Sequence, residues 1–324
     1  MLKILTMLMM KSSILVGGQA VIEGVMMRVP GAYATAVRLK NNDIKVLRTP
    51  FTSIIEKYKM NQFVILRGMI HLFESMRMGY RTLDWSAQMN EDNFKPQTGI
   101  LYQIQEYIMS ALSIMFALSL FLFLPLFFTF YLEDFINRPF IFNSITGVIR
   151  IFIFLTYLIL ISRMNDIKTL FQYHGAEHKV VYNFESGLDV NVNNAQKFSR
   201  LHPRCGTSFV FIIMLVTIFT HAIIDSIALL FLEELTLLTR FILHIVFLPV
   251  VAGVGYEVLK FLAKHQTIFI FKILSQPGLW LQHITTKEPS KEQLEVSVRA
   301  LREAFGKDNI ESFTGKKFVA DAIG

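Results

Sequence analysis

One cysteine, Cys205, stands in a chain of 324 residues, and a single thiol excludes any intramolecular disulfide framework. Despite a net charge of +7, no block of basic residues interleaves with aromatics. That pattern argues against nucleic-acid binding and assigns the basicity to Lys and Arg beside a membrane. The apolar run 1–10 is too short to cross a bilayer, and no small-residue cleavage site follows it, so no signal peptide is expected. Internal repeats and low-complexity linkers are lacking as well. Without an inverted repeat, a transporter acting as a monomer is a poor fit.

What is present is apolar. Hydrophobic residues make up 53% of the chain and concentrate in long runs, the mark of an integral membrane protein. Four segments are long enough to span: 108–132, where Pro125 can introduce a kink, 140–162, 207–232 and 241–263. The connections 133–139 and 233–240 carry one Lys or Arg each, while the central loop 163–206 carries six. By the positive-inside rule the central loop and both termini are cytoplasmic, and Cys205 then faces a reducing compartment. The expected fold is a mainly α membrane protein. About four transmembrane helices (101–265) follow a small α+β N-terminal cytoplasmic or peripheral region (1–100) and precede a cytoplasmic tail (266–324).

In the N-terminal region, 16–28 is rich in glycine and β-branched residues, as suits a strand with close backbone approaches. Segments 34–40 and 44–48 flank Asn41-Asn42-Asp43, a hairpin turn. From 61 to 88 the period becomes helical, with an apolar stripe of Phe63, Leu66, Ile70, Phe73 and Met76 beside polar Arg67, Glu74, Arg77 and Arg81. Such a helix can lie on the bilayer or pack on the membrane domain. His71 and Glu74, three apart on it, read as a solvated pair. In the tail, 267–274 reads as interfacial and Pro277-Gly278 as a turn. Ser290 and Gln293 form a capping box for a C-terminal amphipathic helix striped by Leu294, Val298, Leu301 and Phe305 and ending near Gly306. That helix suits packing or a protein partner.

The chemistry concentrates in Tyr173-His-Gly-Ala-Glu-His-Lys179 and His202-Pro-Arg-Cys-Gly-Thr-Ser208. On a helix, His174, Glu177 and His178 share one face. Two imidazoles four apart can ligate one cation, and a neighbouring carboxylate can activate water; H-x-x-E-H is an inverzincin spacing. The same spacing is also ordinary on a solvated helix face. His202 and Cys205 add two candidate ligands on a proline-turned loop. Glu257, about 9 Å inside the cytoplasmic end of the fourth span, is either a further anionic ligand or a packing carboxylate bonded to Lys260 or a neighbouring helix. Arg150 and Asp225, deeper in the spans, read as a structural ion pair, with His221 and His244 as interhelical hydrogen bonders. A proton or ion path is the alternative.

Gly17-Gly-Gln-Ala-Val-Ile-Glu-Gly-Val-Met-Met-Arg28, Leu66-Arg-Gly68, the two histidine motifs, and the stretch from Pro277-Gly-Leu-Trp-Leu-Gln282 to Pro289 all resemble the YqhQ-like family. These are multi-pass bacterial membrane proteins labelled as metal-dependent enzymes on the same His and Glu pattern. The resemblance covers nearly the whole chain and implies a bacterial inner-membrane setting; no catalytic roles come with it.

Three functions compete. In a membrane hydrolase, His174 and His178 hold Zn²⁺ or a similar divalent ion, with Glu257, His202 or Cys205 completing the shell. Glu177 deprotonates water, and Lys179, Arg200 or Arg204 stabilises the developing anion. The substrate is then a membrane protein or a lipid headgroup. In an adaptor or regulator, the histidines and Cys205 close a structural metal site. In an ion-handling protein, an oligomer forms a path.

Overall fold

The computed structural model describes residues 16–58, 62–91, 100–132, 138–203, 205–264, 269–306, 310 and 315. Four antiparallel strands come first: β1 (Gly17–Val21), β2 (Gly24–Val29), β3 (Ala32–Arg38) and β4 (Ile44–Pro50), paired in sequence order. Then come α1 (Ile54–Tyr58), α2 (Val64–Asn90), α3 (Ile100–Leu118), a π turn (Ser119–Phe123) and α4 (Leu124–Phe130). They are followed by α5 (Pro139–Ile161), α6 (Asn165–Glu185), α7 (Val192–Ala195), α8 (Gly206–Ala228) and α9 (Leu237–Val246). The last are α10 (Leu248–Lys264), α11 (Phe269–Thr285) and α12 (Lys291–Phe305).

The glycine-rich stretch expected as one strand is a hairpin: Val21 pairs with Gly24 across a two-residue turn in which Glu23 has φ 50°. The turn around Asn41-Asn42-Asp43 joins β3 to β4 as expected, with Asn42 at φ 72° and the Asn41 side chain accepting from the Asp43 N–H. Alternation gives the sheet two apolar faces. Val25, Met27, Val29 and the small Ala32, Ala34 and Ala36 join Tyr173, Val180 and Phe184 of α6 and Leu294, Leu301 and Phe305 of α12 in one core. Val21, Met26 and Val37 face Met78 of α2 on the other side. The sheet is thus the middle layer, and three segments far apart in sequence close one core. The Ser290–Gln293 capping box forms, and the stripe of α12 is spent on the sheet.

Among the described residues, three helices are long and apolar enough to cross a membrane: Tyr107–Phe130, Pro139–Ile161 and Val210–Ala228. The fourth expected span is two helices, α9 and α10, bent by 54°. Pro249 explains the break: it offers no N–H to the carbonyl four residues back, and its ring crowds that turn. A proline also leads to the first of two departures among the buried charges. Pro125 cannot bond the carbonyl of Phe121, and the π turn lies just before it. Arg150 Nε supplies that donor at 2.9 Å. Arg150 is therefore not the partner of Asp225. The Asp225 carboxylate, fully buried, accepts from Arg240 Nη1 (2.7 Å), Asn143 Nδ2 (2.7 Å) and His244 Nε2 (3.0 Å). His244 bridges helices as expected, and His221 stacks on it with ring centroids 3.7 Å apart.

Helix α2 turns its small and polar face inward, burying Gly68, Gly79, Thr82 and Ser86. Its stripe of Phe63, Leu66, Phe73 and Met76 is exposed. Gly68 lies against Gly253 of α10, where an added Cβ would come within 2.9 Å of the Gly253 carbonyl. His71 and Glu74 are not solvated. Glu74, 6% exposed, accepts from Ser53 Oγ (2.8 Å) and the Ile54 N–H (2.5 Å), capping α1, while His71 stacks on Tyr256. Pro277 does not turn the chain but lies inside α11. Residues 267 and 268 lie outside the described residues.

Candidate functional site

The site is built where α6 passes between β1 and the turn into α8. Its helical period puts His174, Glu177 and His178 on the face toward β1, because residues three and four apart lie above one another. Cys205 is the N-cap of α8, its sulfur accepting from the Thr207 N–H at 3.4 Å. One donor atom each from His174, His178 and Cys205 lies within 4.8 Å of the others. His174 Nε2 is 3.2 Å from Cys205 Sγ.

Backbone carbonyls orient both imidazoles. A carbonyl can only accept, so His174 Nδ1 donates to Thr285 O (2.9 Å) and His178 Nδ1 donates to Arg200 O (2.5 Å). Each ring then presents the lone pair of Nε2 to the cluster, the arrangement by which outer partners fix a metal-binding tautomer. His178 Nε2 is buried and makes no hydrogen bond; the nearest carboxylate oxygen, Glu177 Oε2, is 3.5 Å away. An orphaned buried nitrogen costs roughly 1–3 kcal/mol and calls for a missing partner.

Glu177 is 6% exposed, and the N–H of Gly18 donates to its carboxylate. Burial pushes the carboxyl up to about 7, with His174 pulling it down and Glu185 pushing it up. Burial likewise lowers His174, against the pull of Glu177. The close fit of β1 depends on Gly18, where a Cβ would stand 2.6 Å from Met26 O and 2.7 Å from Glu177 Cγ. A cavity of about 340 Å³ adjoins the donors, walled by β1, Phe171 and Thr207.

The other expected site residues are not among these three donors. His202 lines the cavity, but its ring packs on Tyr182 and its Nε2 lies 3.6 Å from Glu185 Oε2. Lys179, 100° further round α6 than His178, turns away to pair with Glu288 and Gln196 O. Arg200 caps the end of α11 through Thr286 O and Oγ1. Glu257 is committed to a two-pronged pair with Arg67, at 2.6 and 2.5 Å, tying α10 to α2. Its carboxylate is therefore a helix-packing group, not a member of the cluster. Arg204 lies outside the described residues.

Two supports were not singled out from sequence. Gln282 is fully buried and pairs both ways with the His202 backbone, accepting from its N–H (2.8 Å) and donating to its carbonyl (2.7 Å). Thr285 orients His174. Both lie in stretches that carried the family resemblance, Pro277–Gln282 and the run to Pro289, and that was their only signal.

A family model described as "Protein of unknown function (DUF1385)" matches residues 63–307. The chain is 32% identical over 301 residues to the uncharacterized protein YqhQ of Bacillus subtilis (strain 168), covering 89% of this chain and 91% of that protein. No solved structure matches.

Proposed function

The chain belongs to the DUF1385 family of unknown function, and on the geometry of its own residues we propose a metal-dependent hydrolase at the cytoplasmic face of a bacterial inner membrane. The observation that carries this reading is the convergence of His174, His178 and Cys205, with both histidines oriented through Nδ1 and one Nε2 left without a partner. A tetrahedral Zn²⁺ holds its N and S donors roughly 3.4–3.6 Å apart, close to the 3.2 Å between His174 Nε2 and Cys205 Sγ. A divalent ion there, Zn²⁺ foremost, would supply Lewis acidity and make a water acidic enough to lose a proton near neutral pH.

In this reading Glu177 takes that proton on its carboxylate and returns it to the leaving group. Arg204, next to Cys205, is assigned the developing negative charge; Lys179 is already paired with Glu288. Among the described residues the cluster has three donors and a cavity beside them. Three donors with an open side favour catalysis over a closed structural staple. The concentration of Lys and Arg in 163–206 supports the reading that this side, and both termini, are cytoplasmic.

The test is metal content in detergent-purified protein. About one equivalent of a transition metal, lost in His174→Ala and His178→Ala and kept in Glu177→Gln, is the expected result. A folded wild-type protein that retains no metal would overturn the reading.

A further inference from the structure

A second cavity, of about 200 Å³, lies on the other side of β1, and the two share Val16–Gln19 and Gly206 as walls. Its lining is of two kinds. Met26 of the sheet, Leu72 and Met78 of α2 and Leu259 of α10 are apolar. Arg28, His71 and Tyr256 are polar and under-bonded. Tyr256 is 5% exposed, and its hydroxyl makes no hydrogen bond. His71 Nδ1 is likewise buried without one; the nearest carboxylate oxygen, on Glu74, is 3.9 Å away and Glu74 is occupied in capping α1. Arg28 stacks over Phe51 at 4.7 Å, but among the described residues its guanidinium makes no hydrogen bond or ion pair.

Three donors converging on an apolar cavity want an acceptor with negative charge. Burial lowers the Arg28 pKa, the sign of a cation short of a counter-ion, although Glu74 and Glu56 partly offset this at longer range. Burial also holds His71 down to about 4, so at neutral pH its imidazole is uncharged and can donate one hydrogen bond. The setting selects among anions. The cavity lies between α2, whose outer face exposes Phe63, Leu66, Phe73 and Met76, and the last turns of the bent span formed by α9 and α10. That places it at headgroup depth, where an amphipathic helix beds into a bilayer.

We propose that this cavity binds an anionic lipid whose headgroup is a phosphate monoester, with Arg28, His71 and Tyr256 on the phosphate and Met26, Leu72, Met78 and Leu259 along the first acyl carbons. The assignment rests on the hydrolase reading only in making that lipid the substrate class; the binding stands on the cavity itself. Across the wall at Gly17–Gly18 the headgroup lies next to His174, Glu177 and Cys205. The hydrolysable bond is then the phosphate ester of that lipid, with the hydroxide of water going to phosphorus and its proton, by way of Glu177, to the departing alcohol oxygen.

The experiment is native mass spectrometry of the full chain in detergent, titrated with short-chain phosphatidic acid, phosphatidylcholine of the same chain length, and inorganic phosphate. Phosphatidic acid should bind at least about tenfold more tightly than either of the others. Arg28→Gln should weaken it about tenfold or more, since a hydrogen bond to a charged group is the stronger kind. Tyr256→Phe should weaken it roughly threefold to tenfold with the fold intact, and Leu259→Trp should block the cavity from its apolar side. Equal binding of inorganic phosphate or phosphatidylcholine, or unchanged binding in Tyr256→Phe and Leu259→Trp, overturns the proposal. His174→Ala separates the two readings. Lipid binding that persists there supports an independent cavity. Metal retained by a wild type that shows no Arg28-dependent lipid binding refutes the lipid assignment and leaves the hydrolase standing.

Discussion

Asp225 offers a direct test of how the buried charges of the apolar helices are paired. Its carboxylate is fully buried and depends on one cation, Arg240, whose Nη1 is 2.7 Å from Oδ2 and whose guanidinium stacks over Phe142 at 3.9 Å. At an effective dielectric of 20, charges about 3.5 Å apart attract by roughly 5 kcal/mol. Removing one partner of a buried pair costs about 3–5 kcal/mol, because the other charge is left without solvent. Arg240→Leu should therefore destabilise by about 3–5 kcal/mol, since Asn143 and His244 offer hydrogen bonds but no fixed charge. Asp225→Asn should cost a similar amount by stranding Arg240. The double variant should be less damaged than the sum of the singles, with a coupling of about 2 kcal/mol or more. Arg150→Leu should instead lose the bond to Phe121 O, about 1.5–3 kcal/mol, and add to Asp225→Asn within about 0.5 kcal/mol. The assay is equilibrium unfolding in mixed micelles for both double-mutant cycles. Coupling between 150 and 225, or none between 240 and 225, would refute this pairing.

Cys205→Ser should lower metal retention while leaving α8 capped, since a serine hydroxyl caps as well as the thiol; unchanged metal in dialysed protein counts against the sulfur as a ligand. Gly18→Ala forces a Cβ against Met26 O and Glu177 Cγ and should cost about 1–3 kcal/mol by thermal unfolding; a neutral outcome would show that β1 is free to move off α6. Glu257→Gln should leave metal content unchanged and cost about 1 kcal/mol, because the pair with Arg67 is one-fifth exposed and partly screened; metal loss would return Glu257 to the site. Ser290→Ala removes the capping box of α12 and should cost about 1 kcal/mol, read in the same unfolding experiment.

What was legible in the sequence was local or periodic. The apolar runs located the candidate spans, the Asn41-Asn42-Asp43 turn located a hairpin, and Ser290 with Gln293 located the start of α12, because each signal is carried by neighbouring residues. The spacing of His174, Glu177 and His178 placed them on one face for the same reason. Partner choice between distant residues was not legible. Arg150 and Asp225 looked like a pair because both lie inside spans, but Pro125 had freed a carbonyl that claimed Arg150, and Arg240 reached inward from the end of a connection. Glu257 and Lys179 were candidates by depth and by adjacency, and both found counter-ions, Arg67 on α2 and Glu288 in the connection between α11 and α12, in segments whose position no local pattern reveals.

The same non-local pairing explains how α6, α8, α11 and a small sheet come to hold one site. None of the three donors is oriented by its own helix alone. His174 takes its tautomer from Thr285 at the end of α11, and His178 from Arg200 in the turn before α8. Arg200 is itself held by Thr286, and the His202 backbone is clamped by Gln282 one turn earlier on α11. The end of α11 therefore controls both histidines and the loop that delivers Cys205. Because α12 follows directly and closes the sheet core, the segment that orients the site is anchored by the same packing that completes that core. A donor cluster needing only adjacency could form on α6 and its loop alone. One in which the His174 ring is aimed by Thr285, 111 residues away, and the loop that carries Cys205 is clamped at the His202 backbone by Gln282, 80 residues away, exists only in the completed fold.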